Sequence, residues 1–364
     1  MKGIFENECE VEYYPGNEIT PQRVKDADAL IVRTRTKCNA QLLEGSKVKV
    51  IASATIGTDH IDRAWCQSHN IALFNAPGCN SGGVLQYFLT ALFKCLSTRE
   101  LWQKFLNYAP DATGAAESAP FTVGVIGVGN VGSKVASACE SLGFEVLRND
   151  PPKERQQTLA YNSGYLRIVD FKDYYSLDYL LENSDVVTLH VPLDETTRGM
   201  ADANFFARMK PGAIFINSSR GEVVDEAALL ANIHKLAAVV LDVWVGEPNI
   251  NKELLQSAFI ATPHIAGYSA EGKIKGTQMA VEAIRRYMRD NGLTTGAPAA
   301  AGTCTIPEEQ PIPVDFRGKN IDEISQMLER IFPIQELSNA LKANPHTFEE
   351  MRNNYNYRHE LEIL

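Results

Sequence analysis

Short apolar runs, separated by polar or helix-length stretches, recur along most of this 364-residue chain. Near its start, the runs 29–34, 48–54 and 71–75 are apolar and alternate with polar or helical stretches, which predicts three strands of a small α/β domain. The pattern over 83–105 is helical. The following stretch, 109–120, is dominated by Pro, Gly, Ala and Ser, which predicts a loop and a first domain junction.

Strands of similar length are predicted again beyond residue 120, mostly separated by helix-length segments. This rhythm is typical of a parallel, doubly wound Rossmann-type sheet. The runs that carry it are 122–126, 145–149, 186–191, 213–217, 238–243 and 259–262.

The C-terminal third departs from this rhythm. A long helical pattern over 272–291 would return the chain to the first domain, and a breaker-rich linker follows at 296–313. Beyond the linker, helices are predicted at 321–331 and 347–353. We therefore expect one domain from 1–95 and 270–295, a second from 96–269, and a linker with a small C-terminal α+β domain over 296–364.

Composition narrows the classes of partner. A chain of 364 residues exceeds the usual size of one hydrophobic core, which agrees with two or three domains. The net charge of −10 and the lack of a long basic run argue against nucleic acid and anionic membranes. The seven cysteines include no CxxC pair, so neither a disulfide framework nor a metal site is expected. With no signal-peptide or membrane-span pattern, the expected location is cytoplasmic.

A glycine motif follows the strand at 122–126. In Gly127-Val128-Gly129-Asn130-Val131-Gly132 the first glycine allows a tight turn, the second a close approach to a pyrophosphate, and the third helix–strand packing. Asp150 ends the next strand, at the spacing of a carboxylate that binds an adenosine ribose. A carboxylate there would repel a 2′-phosphate, which favours NAD over NADP. The alternative is that Asp150 merely starts the turn at Pro151-Pro152.

Three later strands end in groups that suit hydride-transfer chemistry. His264 could take the hydroxyl proton of an alcohol, Glu247 could hold its other ring nitrogen, and Arg220 could bind a substrate carboxylate. Each residue alone has a structural alternative: a packed histidine, a cap of a helical turn, or a surface ion pair. Because ligands bind beyond the carboxyl ends of parallel strands, the joint placement favours an active site.

Two further polar residues are less informative. Asp242 could accept a hydrogen bond from a nicotinamide carboxamide, or it could cap local backbone. His190 has no matching carboxylate nearby in sequence, so we interpret it as structural.

These motifs resemble the D-isomer-specific 2-hydroxyacid dehydrogenase family over most of residues 20–290. The resemblance is carried by Gly-Val-Gly-Asn-Val-Gly from 127, Asn-Ser-Ser-Arg-Gly-Glu-Val-Val-Asp from 217, Leu-Asp-Val-Trp from 241, Gly-Glu-Pro from 246 and Pro-His-Ile-Ala-Gly from 263. It implies a flavodoxin-like substrate domain and an NAD-binding Rossmann domain. It also implies that Arg220, Glu247 and His264 are catalytic.

Stretches at 32–37, 54–62, 76–80 and 265–273, with the tail 332–358, are similar to the branch of this family that oxidises 4-phospho-D-erythronate in pyridoxal 5′-phosphate biosynthesis. That branch implies a homodimer formed through the C-terminal domain. The resemblance also implies that Thr34, Thr55 and Tyr268 contact substrate. The NAD contacts expected from the motif and the resemblance are Gly127, Gly129, Asn130, Val131, Gly132, Asp150, Val191, Ser218, Ser219, Arg220, Asp242, His264 and Gly267.

A phosphate on the substrate needs cationic or N–H donors. Arg33, Arg35 and Lys37 form the compact basic cluster that follows a strand of the first domain, and we expect one or more of them to hold it. Two alternatives remain: another D-2-hydroxyacid dehydrogenase, such as one that acts on phosphoglycerate, and a non-enzymatic NAD-sensing corepressor.

Overall fold

The computed structural model describes residues 5–6, 8–98, 121–162, 173–293 and 310–364. The chain divides into two compact units. The first comprises Met1–Gly82, Tyr268–Ile312 and His359–Glu362, and the second comprises Gly83–Gly267, Pro313–Arg358 and Ile363–Leu364. The predicted loop at 109–120, the end of the helical pattern before it, and most of the predicted linker at 296–313 lie outside the described residues.

The regular elements alternate as the apolar pattern predicts. The strands are β1 (Ala29–Val32), β2 (Val50–Ser53), β3 (Ala72–Phe74), β4 (Thr122–Ile126), β5 (Glu145–Asn149), β6 (Val186–Leu189), β7 (Ile214–Asn217), β8 (Ala238–Leu241), β9 (Ile260–Ala261), β10 (Ile312–Val314) and β11 (Leu361–Ile363). The α-helices are α1 (Pro21–Val24), α2 (Ala40–Leu43), α3 (Arg63–Ser68), α4 (Ser81–Thr98), α5 (Asn130–Ser141), α6 (Pro151–Asn162), α7 (Leu177–Asn183), α8 (Ala203–Arg208), α9 (Glu226–Asn232), α10 (Lys252–Ser257), α11 (Ala270–Asp290), α12 (Ile321–Ile331), α13 (Ile334–Ala343) and α14 (Phe348–Asn353).

The first unit is built on a parallel three-stranded sheet in the order β1-β2-β3. Two separate apolar clusters cover it. One joins Val32 and Ile51 to side chains of the short helices α1 to α3, and the other joins Val50 and Ala52 to Ala280 and Ile284 of α11. Helix α11 therefore completes the core of this unit, although it lies about two hundred residues further along the chain.

The second unit contains a parallel six-stranded sheet in the order β5-β4-β6-β7-β8-β9. This order reverses its direction beside β4, and ligands of doubly wound sheets bind at such a switch point. The glycine motif directly follows β4. The strands β7, β8 and β9 are neighbours, so the three strand ends that carry the predicted acid–base groups lie side by side. The Rossmann-type α/β fold is confirmed.

Residues Pro313–Arg358, called the C-terminal segment below, pack as part of the second unit. Leu341 of α13 and Phe348 of α14 belong to the same apolar cluster as Phe215 and Leu254. Helix α12 matches its predicted bounds and begins with a capping box between Asn320 and Glu323. Helix α13 and strands β10 and β11 were not predicted. The proposed division into three domains, with 296–364 as a separate one, stays a prediction.

Within the described ranges, every helix is too short or too polar to cross a bilayer. The six cysteines in these ranges are free, and Cys304 lies outside them.

Candidate active site

The glycine turn at the end of β4 has the shape that its sequence requires. Gly127 lies at φ +83°, and its N–H donates to the carbonyl of Asn149 at 2.8 Å. A Cβ added at Gly132 would lie 1.9 Å from the carbonyl oxygen of Gly127, so only a hydrogen allows α5 to pack this close to the turn. A Cβ added at Gly129 would meet nothing within 4 Å. The turn is thus tightly packed at Gly127 and Gly132 and has free space beside Gly129.

The free space beside Gly129 suits a pyrophosphate. Helix α5 begins at Asn130 with no side chain capping it among the described residues, which leaves backbone N–H groups for an anion. Beside the turn, the Asp150 carboxylate accepts hydrogen bonds from the N–H of Val128 at 2.8 Å and of Lys153 at 3.0 Å. A ribose-binding carboxylate is expected at this position.

An unpaired buried hydroxyl supports the same interpretation. Ser218 Oγ, just beyond β7, is buried and has no hydrogen-bond partner among the described residues. Buried polar atoms are normally paired, so this atom needs a partner that the described residues do not supply. Of the other predicted NAD contacts, Val191 lies beside the turn, with a methyl group 2.8 Å from a Cβ added at Gly127. The residues fit a dinucleotide.

Asn217 at the end of β7 organises the turn that carries Arg220. Its Oδ1 accepts hydrogen bonds from the N–H and hydroxyl of Ser219, and its Nδ2 donates to the carbonyl of Arg220 at 2.9 Å. The half-buried Arg220 guanidinium donates to the Ser219 carbonyl at 2.7 Å. A Cβ added at Gly221 would lie 2.0 Å from the carbonyl carbon of Trp244, so the Arg220 turn lies against the turn beyond β8.

His264 and Glu247 form the predicted pair. The Nδ1 atom of His264 lies 2.8 Å from Oε2 of Glu247, while Oε1 of Glu247 accepts the Trp244 N–H at 3.1 Å. Burial raises the pKa of Glu247, but the His264 hydrogen bond and nearby positive charge outweigh it and leave this pKa below its usual range. Within the described residues, Nε2 of His264 has no hydrogen-bond partner. The carboxylate thus fixes one ring nitrogen and leaves the other for a substrate proton.

Asp242 holds the turn that carries His264. Its buried carboxylate accepts hydrogen bonds from Thr262 Oγ1 at 2.7 Å and from the N–H groups of Ile265 and Ala266, both at 2.8 Å. Burial raises the pKa of Asp242, although the His264 charge and these hydrogen bonds oppose the rise. His264 itself has φ +57°, an uncommon conformation for a non-glycine residue that its surroundings must stabilise. These contacts match the backbone-capping alternative for Asp242, and its role toward NAD stays a prediction.

Sequence reasoning missed two arginines of the C-terminal segment. Arg358 is 7% exposed and donates to the carbonyls of Ile265 and Ala266, while its guanidinium lies 4.1 Å from the ring centre of Phe332. Arg352 lies 3.6 Å from Oε2 of Glu247. Each follows the glycine motif by about two hundred residues, so no local pattern connects them to it.

His190 sits in a packed environment. Its Nε2 lies 3.1 Å from Thr188 Oγ1, and its ring meets that of Phe88 edge-on with centres 6.4 Å apart. Burial lowers the pKa of His190 to about 3, so the imidazole is neutral at physiological pH. These surroundings agree with the structural role expected for it.

The predicted substrate contacts belong to the first unit. Thr34, Arg35 and Lys37 are exposed in the turn after β1, whereas Arg33 and Tyr268 are half-buried. Thr55, after β2, is half-buried and donates its hydroxyl to the carbonyl of Gly57 at 3.0 Å.

Sequence reasoning missed Lys275, a further cation of the first unit. Burial raises the pKa of the Cys79 thiol, and the positive charges of Arg33 and Lys275 oppose the rise. Arg33 and Lys275 therefore act on the same buried residue of the turn after β3, although α11 carries one and the β1 turn the other.

Comparison with known proteins agrees with this geometry. Residues 87–266 match the family described as D-isomer specific 2-hydroxyacid dehydrogenase, NAD binding domain. An erythronate-4-phosphate dehydrogenase of Bacteroides thetaiotaomicron is 41% identical over 96% of this chain and 91% of its own length. One from Escherichia coli is 35% identical over 100% of this chain and 90% of its own length.

Solved structures show the same fold with the cofactor in place. The D-lactate dehydrogenase of Aquifex aeolicus, complexed with NAD and lactic acid, aligns with a TM-score of 0.59 at 28% identity, over 76% of this chain and 87% of that one. The NAD-bound 3-phosphoglycerate dehydrogenase of Entamoeba histolytica aligns with a TM-score of 0.55 at 25% identity, over 79% and 88%. Residues 87–266 are thus an NAD-binding domain, and the chain belongs to the erythronate-4-phosphate dehydrogenase family of D-isomer-specific 2-hydroxyacid dehydrogenases.

Proposed function

We propose that this chain oxidises 4-phospho-D-erythronate to 3-hydroxy-2-oxo-4-phosphooxybutanoate with NAD, in pyridoxal 5′-phosphate biosynthesis. The observation that carries the proposal is the 2.8 Å contact between His264 and Glu247 at neighbouring strand ends. The relatives that are similar over nearly the full chain support the choice of substrate.

The acid–base step belongs to His264. Its Nε2 takes the hydroxyl proton of the substrate as the C2 carbonyl forms, and Glu247 stabilises the imidazolium through Nδ1. Hydride acceptance is the chemistry that a bound NAD supplies. General acid–base catalysis of this kind contributes roughly 10²- to 10⁴-fold in rate.

The other site residues bind and orient. The Arg220 guanidinium holds the substrate carboxylate and polarises the forming carbonyl. In the NAD site, Gly127, Gly129 and Gly132 form the turn, and Asn130 and Val131 are the first residues of helix α5. Asp150 binds the ribose. The remaining NAD contacts are Val191, Ser218, Ser219, Asp242, His264 and Gly267.

In the first unit, we assign substrate binding to Thr34, Thr55 and Tyr268, and phosphate binding to one or more of Arg33, Arg35 and Lys37. The family resemblance supports the first assignment, and the positive charge of Arg33, Arg35 and Lys37 in the turn after β1 supports the second. We also propose that the enzyme is a cytoplasmic homodimer formed through its C-terminal segment. A monomer at every concentration in sedimentation would contradict the dimer.

One assay tests the substrate. NADH production is followed with purified protein, NAD and, separately, 4-phosphoerythronate, 3-phosphoglycerate and D-lactate. We expect turnover of the first far above that of the others, abolished in His264→Gln. Preferred turnover of 3-phosphoglycerate would establish the alternative enzyme, and NAD binding without turnover of any of the three would favour a corepressor.

A further inference from the structure

The C-terminal helix α14 brings a cation to the acid–base pair. Phe348 of this helix is buried in the core of the second unit, and Met351 packs against the same core. Nη1 of Arg352, the next residue, lies 3.6 Å from Oε2 of Glu247. The same Oε2 lies 2.8 Å from Nδ1 of His264. One carboxylate oxygen thus joins the imidazole to a guanidinium from the far end of the chain.

This contact is shielded from solvent. The side chains of Arg352 and Glu247 are 22% and 17% exposed, and that of His264 is 29% exposed. Ion pairs in such surroundings are screened less than exposed pairs. An arginine here therefore influences the charge and the rotamer of Glu247 more than a surface ion pair would.

The charges around His264 come from two places, the turn after β8 and helix α14. The Glu247 carboxylate follows β8 and lies 2.8 Å from Nδ1, and the buried Asp242 carboxylate, also after β8, interacts electrostatically with the imidazole. Arg352 on α14 faces Glu247. Two negative groups favour the imidazolium, and the guanidinium opposes them because it shares the oxygen that His264 uses.

We propose that Arg352 is a positioning residue of the acid–base pair, which holds Oε2 of Glu247 and thereby fixes the orientation and the effective charge of the carboxylate that His264 contacts. This inference rests on the proposed role of His264 as proton acceptor. It gives the C-terminal segment a function within its own chain, separate from any role in dimerisation.

The helix is well placed for this purpose. Its buried Phe348 fixes the position of α14, and Arg358, five residues beyond its end, donates to the carbonyls of the two residues that follow His264. The C-terminal segment therefore contacts both parts of the pair. The Arg352 side chain contacts the Glu247 carboxylate, and the Arg358 side chain binds backbone carbonyls of the turn that carries His264.

The test compares Arg352→Gln, which removes the charge, with Arg352→Lys, which keeps it. The matched control is Arg330→Gln, an exposed arginine of the same segment. The first readout is the titration of the His264 ring by ¹⁵N NMR in the protein without substrate. In Arg352→Gln we expect its midpoint to move up by about 0.5–1 pH unit, because a cation is lost from beside Glu247. Arg352→Lys and Arg330→Gln should leave it unchanged.

Kinetics provide the second readout. In Arg352→Gln the acidic limb of the pH profile of kcat should move in the same direction, and kcat near pH 7 should fall about 3- to 10-fold, as expected for an indirect effect smaller than loss of the base itself. The KM for NAD should not change. In a Glu247→Gln background, Arg352→Gln should shift the titration no further, because the group through which it acts is gone.

An unchanged His264 titration in a folded Arg352→Gln protein would overturn the proposal, and so would an equal shift in the Glu247→Gln background. If Arg352→Gln does not fold, a titration in Arg352→Lys that differs from that of the wild type would also contradict it. The NMR readout requires no turnover, so a wrong substrate assignment would leave this result interpretable.

Discussion

The Ser338 hydroxyl accepts a hydrogen bond from the backbone N–H of Ala261 at 2.9 Å, and Ser338 is fully buried. Ala261 ends β9, the edge strand of the six-stranded sheet, two residues before the Pro263-His264 turn. Helix α13 therefore pairs a backbone group that the edge strand would otherwise leave unsatisfied. The C-terminal segment is thus tied to the strand that leads to His264, the proposed proton acceptor.

Replacement of Ser338 by alanine should destabilise the second unit. The Ala261 N–H would be left buried without a partner, which costs about 1–3 kcal/mol. Chemical denaturation should show a lower midpoint for Ser338→Ala. The matched control is Ser141→Ala, an exposed serine whose hydroxyl donates to the Ser137 carbonyl, and it should change the midpoint little. Equal midpoints for the two variants would contradict this role of Ser338.

The two glycines of the NAD turn should respond differently to alanine. Gly132→Ala places a Cβ 1.9 Å from the Gly127 carbonyl, so the turn must distort, and we expect both the melting temperature and NAD affinity to fall. At Gly129 a Cβ meets nothing and φ is −74°, so Gly129→Ala should keep its melting temperature. The affinity for NAD, measured by calorimetry, should nevertheless fall at least tenfold, because the added methyl group would occupy the space of the pyrophosphate. Unaltered NAD affinity in Gly129→Ala would refute that placement.

The choice of cofactor should depend on Asp150. In Asp150→Ser the charge that repels a 2′-phosphate is gone, while Lys153, whose ammonium group donates to the Val128 carbonyl, remains beside the turn. We expect the ratio of kcat/KM for NADP to that for NAD to rise by at least tenfold. Glu145→Ser, an exposed acid at the start of the same strand, serves as the control. A ratio that does not change in Asp150→Ser would show that this carboxylate does not select the cofactor.

His264 should be essential for catalysis and not for folding. The variant His264→Gln should lose roughly 10²- to 10⁴-fold in kcat, since the proposed proton acceptor is removed. Its NAD affinity should change far less. His234→Gln, an exposed histidine of the same unit, should retain activity. Activity within a factor of three of wild type in His264→Gln would remove it as the base.

His190 should make the protein sensitive to acid. Its folded pKa is lowered to about 3 by burial, whereas an unfolded histidine titrates near pH 6.5. Between these values the unfolded chain binds the proton and the folded chain does not. The free energy of unfolding therefore decreases as the pH is lowered, by up to about 1.4 kcal/mol per pH unit. His190→Gln lacks this contribution, so the melting-temperature difference between wild type and variant should shrink from pH 7 to pH 5. A difference that stays constant would contradict this account.

Much of the fold follows from local sequence. Most strands of the two parallel sheets are short apolar runs between polar breakers, and β4, β5 and α12 have the bounds that the pattern predicts. Helix α13 was missed because it begins only three residues after α12, and the intervening Phe332-Pro333 does not separate two helical patterns clearly. Strands β10 and β11 are three residues each, and Pro313 and Glu362 at their centres interrupt the apolar run that would have indicated a strand.

Residue type and strand position alone nominated Glu247, His264 and Arg220, because the chain order of an α/β sheet places groups after successive strands at one edge. The tertiary structure decided what holds them. The Asp242 carboxylate on the turn after His264, the guanidinium of Arg352 on Glu247 and that of Arg358 on two carbonyls depend on how distant segments pack. Local periodicity reports only which face of an element is buried, and contacts across a hundred residues are set by the packing of whole elements.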